Sequence, residues 1–299
     1  MGSAGSAPAI SESPFNLDDD ATFLRWSDGK LARYPRGLGE LVVEIKDPFR
    51  LSRHEAAAVL DRVRRANMAI YAGPAHGDRT VPLALAGQLG LSRLDHNWLS
   101  DADGLSALTV AADKQRANYI PYTNRPIQWH TDGYYNAGNR QIHALMLHCS
   151  QPAARGGENA LLDHELAYLL LRRENPDFIR ALMDPDALTI PPGIEAGGIA
   201  RPERRGPVFS VHPSTGRLHM RSTARRRNAI WKDEPLINAA LSRLSAIMAG
   251  HGGYVLRGLL GAGMGLISNN VLHDRSEFDD GGGRKRLLYR ARFYDWIRA

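Results

Sequence analysis

Tyr119-Ile-Pro-Tyr-Thr-Asn-Arg-Pro-Ile-Gln-Trp129 runs directly into His130-Thr131-Asp132-Gly133. This aromatic stretch reads as extended chain over 117–130, ending in a turn. A strand places residues i and i+2 on one face, so the imidazole of His130 and the carboxylate of Asp132 can address one ion from a single strand end. Gly133 suits a turn at the rim of a sheet. Far downstream, Val271-Leu272-His273 offers a second imidazole. Two histidines and one carboxylate form the ligand set of a non-haem ferrous site with open coordination positions. Dioxygen activation needs those positions for a chelating co-substrate and O2. His-x-Asp alone is weak, because the chain has 11 histidines. His54, His76, His96 and His251 read as surface or loop residues. His143 and His148 sit in an apolar strand and read as satisfied core histidines. His164 follows Asp163, a plausible helix cap.

A chain of 299 residues can bury a substantial core as one large domain or two modest ones. No apolar run is long enough to cross a bilayer, and the first ten residues lack the basic and apolar regions of a secretory signal. One cysteine, Cys149, cannot form an internal disulfide. A reducing cytoplasm is therefore expected, and it also suits a ferrous ion. The formal charge of +6 raises the question of nucleic acid. The arginines fall in short groups, however: Arg201 with Arg204 and Arg205, Arg225 to Arg227, and Arg284 to Arg292. Small anions explain such groups equally well, which puts nucleic acid second.

Residues 1–20, rich in Ser, Gly, Pro and Asp, read as a disordered tail, and 21–299 as one domain. Leu41–Ile45 is a strand candidate. Ser52 and Glu55 form a capping box, after which Val59, Leu60, Val63 and Ala66 recur at helical spacing. A helix is expected at 82–90. Strands follow at 117–130, 141–149 and 158–162, then helices over 163–184 broken at Pro176. Residues 208–211 and 217–220 form a hairpin, and 234–249 a helix. Strands close the chain at 254–260, 265–272 and 284–293. Two strand blocks thus bracket a helical insertion at about 163–235, and closure of a barrel or jelly roll would bring residue 130 near residue 273.

In the last strand Arg284, Arg286, Leu288, Arg290 and Arg292 share one face, and Leu287, Tyr289, Ala291 and Phe293 the other. The second set calls for a packed helix layer. The first set, turned inward, calls for anions, because an unpaired buried guanidinium is costly. A dicarboxylate could chelate iron with one end and meet an arginine with the other. The alternative is a solvated edge strand whose charges discourage aggregation.

These segments together resemble the taurine dioxygenase-like (TauD/TfdA) family of Fe(II)/2-oxoglutarate oxygenases, from about Tyr119 to Trp296. Trp129-His130-Thr131-Asp132-Gly133 is similar to the family's proximal ligand motif. Gly156-Gly157-Glu158-Asn159 is similar to its Gly-Gly-acidic turn. Asn270-Val-Leu-His-Asp-Arg275 with Arg286-Leu-Leu-Tyr-Arg290 is similar to its distal ligand and co-substrate motifs. The resemblance implies an α+β architecture, a double-stranded β-helix (jelly-roll, cupin-like) with helices outside. It implies Fe(II) at His130, Asp132 and His273, with 2-oxoglutarate and O2 as co-substrates. Arg290 matches the arginine that binds the distal carboxylate of 2-oxoglutarate, with Arg286 close by, and the choice between them is open. Asn159 stands where the family often has Thr, and its amide can still donate to a carboxylate.

The implied reaction oxidises a C–H bond of a small, often anionic, molecule and releases succinate and CO2. Candidate substrate contacts are Tyr122, Asn124 and Tyr134 beside the first ligands, and Arg221 and Arg225 after the hairpin. An arginine facing the iron would select a carboxylate, sulfonate or phosphate. Arg225-Arg226-Arg227 also suits a subunit contact, which leaves a homo-oligomer open. The rival reading is a catalytically silent metal-binding barrel, a sensor or a nucleic-acid or partner-binding module. Its affinity for nucleic acid would depend on salt and not on iron.

Overall fold

The computed structural model describes residues 13–74, 77–97, 99–194 and 200–298. His76 and residues 1–12 of the expected tail lie outside them. The chain is already packed at Ser13, well before residue 20. Phe15 is buried and meets Trp26 and Tyr168 edge-on. Asp19 then caps a helix by accepting the Thr22 amide at 2.9 Å.

Ten strands make the two main sheets: Val42–Glu44 (β1), Met68–Ala72 (β2), Ser106–Leu108 (β3), Ile127–His130 (β4), Ala144–Gln151 (β5), Asn159–Leu162 (β6), Leu256–Gly258 (β7), Met264–Ser268 (β8), Leu272–Arg275 (β9) and Leu287–Phe293 (β10). The larger sheet has the order β1-β2-β8-β5-β10-β3, the smaller β7-β6-β9-β4. Helices are Asp20–Arg33 (α1), Arg53–Ala66 (α2), Val81–Gln88 (α3), Lys114–Ala117 (α4), His164–Glu174 (α5), Pro176–Leu182 (α6) and Pro235–Met248 (α7).

Strand alternation sorts the side chains of the larger sheet into two cores. Ala144 and Met146 of β5, with Ala291 and Phe293 of β10, pack outward against Val59 and Val63 of α2 and Leu85 of α3. Leu145, Leu147 and Cys149 of β5 and Leu288 of β10 face inward, where Leu161, Leu162 and Leu272 of the smaller sheet join the same cluster. The helix α2 begins as its sequence requires. The Ser52 hydroxyl accepts the Glu55 amide, and the Glu55 carboxylate accepts the Ser52 amide at 2.7 Å.

Four expectations need correction. Residues 117–130 are not one strand. Helical turns occupy Lys114–Ala117 and Ile120–Tyr122, and only Ile127–His130 is extended, because Pro121 opens a 3-10 turn and Pro126 has no N–H for a ladder. Residues 265–272 divide at Asn270, whose φ of 50° turns the chain from the larger sheet into the smaller one. The segment 163–235 is not purely helical: besides the expected hairpin, Phe209–Val211 with Leu218–Met220, Leu188–Ile190 pairs with Arg204–Gly206 and Ile230–Trp231. The last strand begins at Leu287, so Arg284 is exposed ahead of it.

His148 is satisfied by the Tyr71 hydroxyl at 2.8 Å, and His143 by the Tyr294 carbonyl at 2.9 Å. His143 and His219 face each other with ring centroids 5.5 Å apart. Burial pushes His143 down to about 4 and His219 to about 3, from an ordinary value of 6.5. Below pH 6.5 the unfolded chain therefore binds protons that the folded chain refuses, and stability falls as pH falls towards those values. The variant His219→Phe is expected to lose about 2 kcal/mol less stability than the parent between pH 7 and pH 5. Urea midpoints at the two pH values measure this; an unchanged difference would show that His219 does not carry the slope.

Candidate metal centre

The strands β4 and β9 are antiparallel neighbours in the smaller sheet, and their register sets His130 directly opposite His273. The ring centroids are 4.3 Å apart. Two residues beyond His130, Asp132 turns back towards them. One ligand atom from each of the three residues lies within 4.8 Å of the other two. Asn270 fixes this geometry: its side-chain oxygen accepts the Asp132 amide at 2.8 Å, and its amide donates to the carbonyls of Asp132 and Ile142 at 2.9 and 2.8 Å. Gly133 adopts φ +69°, and a Cβ there would stand 2.4 Å from Ile142 Cγ1.

The proton positions on both rings follow from their partners. Nδ1 of His130 faces the Gln128 carbonyl at 2.9 Å, and Nδ1 of His273 faces the Val271 carbonyl at 3.0 Å. A carbonyl only accepts, so each Nδ1 carries the hydrogen and each neutral Nε2 presents a lone pair. Nε2 of His130 is 3.5 Å from Asp132 Oδ1, an acceptor facing an acceptor. Oδ2 of Asp132 is buried without a hydrogen bond and has only the Arg290 guanidinium, with Nη1 at 3.2 Å. Burial raises the Asp132 carboxyl, but Arg290, His130, Arg292 and His273 outweigh it and hold the group well below the usual carboxylate range. Burial, then His130, pushes His273 down to about 4. Two lone pairs and an anion converging in a buried place suit a cation between them. A divalent metal fits this donor set, and the carbonyl-anchored Nδ1–H groups are the usual outer support of metal-bound histidines.

A second feature lies beside the first. Arg286 is 4% exposed, and its guanidinium stacks on Phe278 at 4.9 Å. Arg275 stacks on the same ring at 4.8 Å and donates to the carbonyls of Thr123 and Arg125, each at 2.6 Å. Arg286 has no such acceptor for its side chain among the described residues, and burial lowers its pKa. It lines a small pocket with Asn159, Gly156, Gly157 and Leu260. The two glycines make room: a Cβ on Gly156 would meet the Glu277 carbonyl at 2.2 Å, and one on Gly157 would press on Arg286 Nε at 3.3 Å. Asn159 donates to the Asp274 carbonyl at 2.7 Å, which leaves its second amide hydrogen available. The arginine face thus splits into roles. Arg292 is matched by Asp95 and the Tyr135 hydroxyl and Arg290 by Asp132, whereas the Arg286 guanidinium makes no ion pair among the described residues and feels only the nearby charge of Asp280.

Over the triad opens a cavity of about 790 Å³, lined by Tyr134, Arg225 and Arg290 among others. Three of the proposed substrate contacts are elsewhere. Tyr122 is 1% exposed and donates to the Leu99 carbonyl. Asn124 points to the surface, its carbonyl accepting the Phe278 amide. Arg221 is spent on the carbonyls of Leu188, Arg204, Gly206 and Pro207. The cavity instead receives Arg201, Arg227, Asn228 and Tyr135. The local sequence marked Arg201 and Arg227 as members of basic groups, and nothing in it said that they turn towards the metal site.

Two opposed imidazoles and one carboxylate on a sheet edge, with space on the far side, define the class of mononuclear metal proteins built on a facial triad. Residues 32–292 match the taurine catabolism dioxygenase TauD, TfdA family, and the chain belongs to that family. A uridine-5'-phosphate dioxygenase from Amycolatopsis sp. is 30% identical over 180 residues, 57% of this chain and 62% of that protein. The match therefore spans less than two thirds of that relative. Among solved structures, a putative alpha-ketoglutarate-dependent taurine dioxygenase from Burkholderia xenovorans superposes with a TM-score of 0.56 at 16% identity, covering 85% of this chain and 86% of that one. An asparagine oxygenase in complex with Fe(II), 2S,3S-3-hydroxyasparagine and succinate gives 0.59 at 15% identity, covering 95% and 88%. AAD-2 in complex with Mn(II) and N-oxalylglycine gives 0.60 at 14% identity, covering 87% and 96%. At these identities the likeness is one of fold, the jelly roll of these oxygenases. Among the described residues no helix is long and apolar enough to cross a membrane.

Proposed function

We propose that the chain is an Fe(II)- and 2-oxoglutarate-dependent dioxygenase that oxidises a C–H bond of a small, anionic molecule. The observation that carries this reading is the convergence of two Nε2 lone pairs and the Asp132 carboxylate, with no proton of the chain between them. Family membership supports it, as do the iron, succinate and N-oxalylglycine in the named structural relatives. The two sheets are then the halves of a double-stranded β-helix, residues 21–299 form one catalytic domain, and 163–235 is its insertion.

His130, Asp132 and His273 would hold the iron. Bound iron supplies the activation of O2 that converts 2-oxoglutarate to succinate and CO2 and oxidises the substrate. The residues of the chain do the positioning. The backbone carbonyls of Gln128 and Val271 keep the protons on Nδ1, so both Nε2 atoms stay available. Arg290 faces Asp132 Oδ2, so Oδ1 is the oxygen that would be offered to the metal. Of the two arginines left open by the sequence, Arg286 is the better anchor for the distal carboxylate of 2-oxoglutarate, because it is buried, its guanidinium makes no ion pair among the described residues, and it adjoins Asn159. Tyr134 and Arg225 remain substrate contacts, whereas Tyr122, Asn124 and Arg221 serve the framework. Much of the basic charge is used inside: Arg221, Arg275, Arg286 and Arg292 are buried and four more arginines line the cavity. That distribution favours a small anion over nucleic acid.

Supplied with Fe(II) and ascorbate, the protein is expected to convert 2-oxoglutarate slowly to succinate even without substrate, and to stop when a chelator removes the metal. Succinate measured by chromatography tests this. Iron binding without any loss of 2-oxoglutarate would sink the oxygenase reading and favour a metal-binding sensor.

A further inference from the structure

We propose that the cavity over the triad binds a phosphate monoester of nucleoside size, its phosphate held by Arg201, Arg225 and Arg227. The proposal rests on the oxygenase reading only in taking this cavity as the substrate site. The argument begins with charge. Among the described residues four arginines line the cavity with a single carboxylate, Asp132, already facing Arg290. The other three make no ion pair with a carboxylate of the described residues. Nη1 of Arg201 and Nε of Arg225 are buried donors with no hydrogen-bond acceptor among those residues. Arg201 spends one nitrogen on the Pro191 carbonyl at 2.7 Å and lies over the Tyr135 ring at 5.8 Å, which aims the rest of its fork. Arg227 is exposed and stands at the mouth.

A carboxylate or sulfonate brings one negative charge and would leave most of this field unmet. A phosphate monoester carries close to two charges at neutral pH and three strong acceptor oxygens. It suits planar guanidinium forks better than it suits point charges. Size selects the rest of the molecule. About 790 Å³ lies in the range of cavities that enclose drug-sized ligands, far more than a two-carbon acid fills. Asn118 and Gln128 put side-chain amides on the wall, which suits a polar heterocycle or a polyol. All three arginines come from the segment between β6 and β7, outside both sheets, so this selectivity is separate from the frame that holds the triad.

Titration calorimetry on the full, iron-loaded chain under nitrogen tests the proposal with uridine 5'-phosphate, ribose 5-phosphate, inorganic phosphate, uridine and a size-matched dicarboxylate. Both phosphate esters are expected to bind at least about a hundredfold more tightly than uridine, on the scale of two charge-assisted bonds. The tighter of the two identifies the body as nucleoside or sugar. Arg201→Ala and Arg225→Ala are each expected to weaken phosphate-ester binding about 10- to 100-fold. Arg201→Lys and Arg225→Lys, which keep the charge but lose the fork, should fall between. The proposal is overturned if uridine binds as tightly as its phosphate, if the dicarboxylate binds more tightly than either ester, or if neither alanine variant alters ester affinity while its circular dichroism is unchanged. Succinate production is read separately. Phosphate-ester binding without 2-oxoglutarate turnover sinks the oxygenase reading alone, and turnover without phosphate preference sinks this proposal alone.

Discussion

His273→Ala is expected to remove metal binding and 2-oxoglutarate turnover together while leaving the fold intact. The imidazole is one of three groups that converge on the site, and without it two donors remain on β4 and its turn. Loss of one ligand of three is expected to weaken Fe(II) or Mn(II) binding on the order of a thousandfold, about 4 kcal/mol. The metal-free variant carries a more specific signature. In the parent, the two Nε2 lone pairs and the Asp132 carboxylate oppose one another in a buried place, so removing one relieves repulsion. The metal-free variant should therefore melt no lower than the metal-free parent. The parent should gain stability from metal, about 4 kcal/mol when the metal is at a thousand times its Kd, and the variant should gain almost none. Asp132→Ala is a poorer probe, because it strips Arg290 of its partner, and an uncompensated buried charge destabilises by about 3–5 kcal/mol. Melting curves with and without Mn(II), together with a succinate assay, decide the matter. A variant that still gains stability from metal and still makes succinate would remove His273 from the centre.

The convergence of His130, Asp132 and His273 was legible because its signals are short-range and chemically unusual. His130-Thr-Asp132 depends only on strand periodicity, and Asn270-Val-Leu-His273 marks a turn that one amide side chain stabilises. The two-faced pattern of β10 was legible for the same reason: Ala291 and Phe293 pack on the helix layer, while Arg290 faces inward on Asp132. What failed were features decided by tertiary contact. Tyr122 looked like a substrate contact because it is aromatic and near His130 in sequence, yet a 3-10 turn at Pro121 rotates it into the core. Arg221 looked like an anion receptor, yet four backbone carbonyls claim it, and no local pattern announces that. Arg201 was the converse, an arginine on a short strand paired with Gly193–Ile194 that the insertion brings to the cavity over the triad. The small strand β2, with the pattern Met-Ala-Ile-Tyr-Ala, carries no polar alternation because both its faces are covered, by α2 on one side and the inner core on the other. A continuous apolar run of that length does not reveal whether it is strand or helix.

Arg286→Ala is expected to raise the KM for 2-oxoglutarate a hundredfold or more, with a smaller effect on metal affinity. A bidentate arginine–carboxylate contact comprises two charge-assisted bonds of about 1.5–3 kcal/mol each. The pocket around Arg286 is small and shaped by Gly156, Gly157, Asn159 and Leu260, so few other donors are at hand to replace the lost guanidinium. In the absence of co-substrate the direct partner of the guanidinium among the described residues is the Phe278 ring, a contact of about 0.5–1 kcal/mol. Its removal should therefore cost the empty protein little stability. The wild type should melt higher when 2-oxoglutarate is added to the metal-loaded protein, and the variant should not. Arg286→Lys is expected to recover part of the affinity, since the charge returns without the fork. Arg290→Ala separates the two arginines. Arg290 touches Asp132 at 3.2 Å, so its loss leaves the carboxylate free to turn and should weaken the metal first, with the KM for 2-oxoglutarate measured at saturating Fe(II) changed much less. If Arg290→Ala instead raises that KM as Arg286→Ala was expected to, and Arg286→Ala leaves it unaltered, the two assignments are exchanged: the distal carboxylate would lie across Asp132, and the pocket beside Asn159 would belong to the framework.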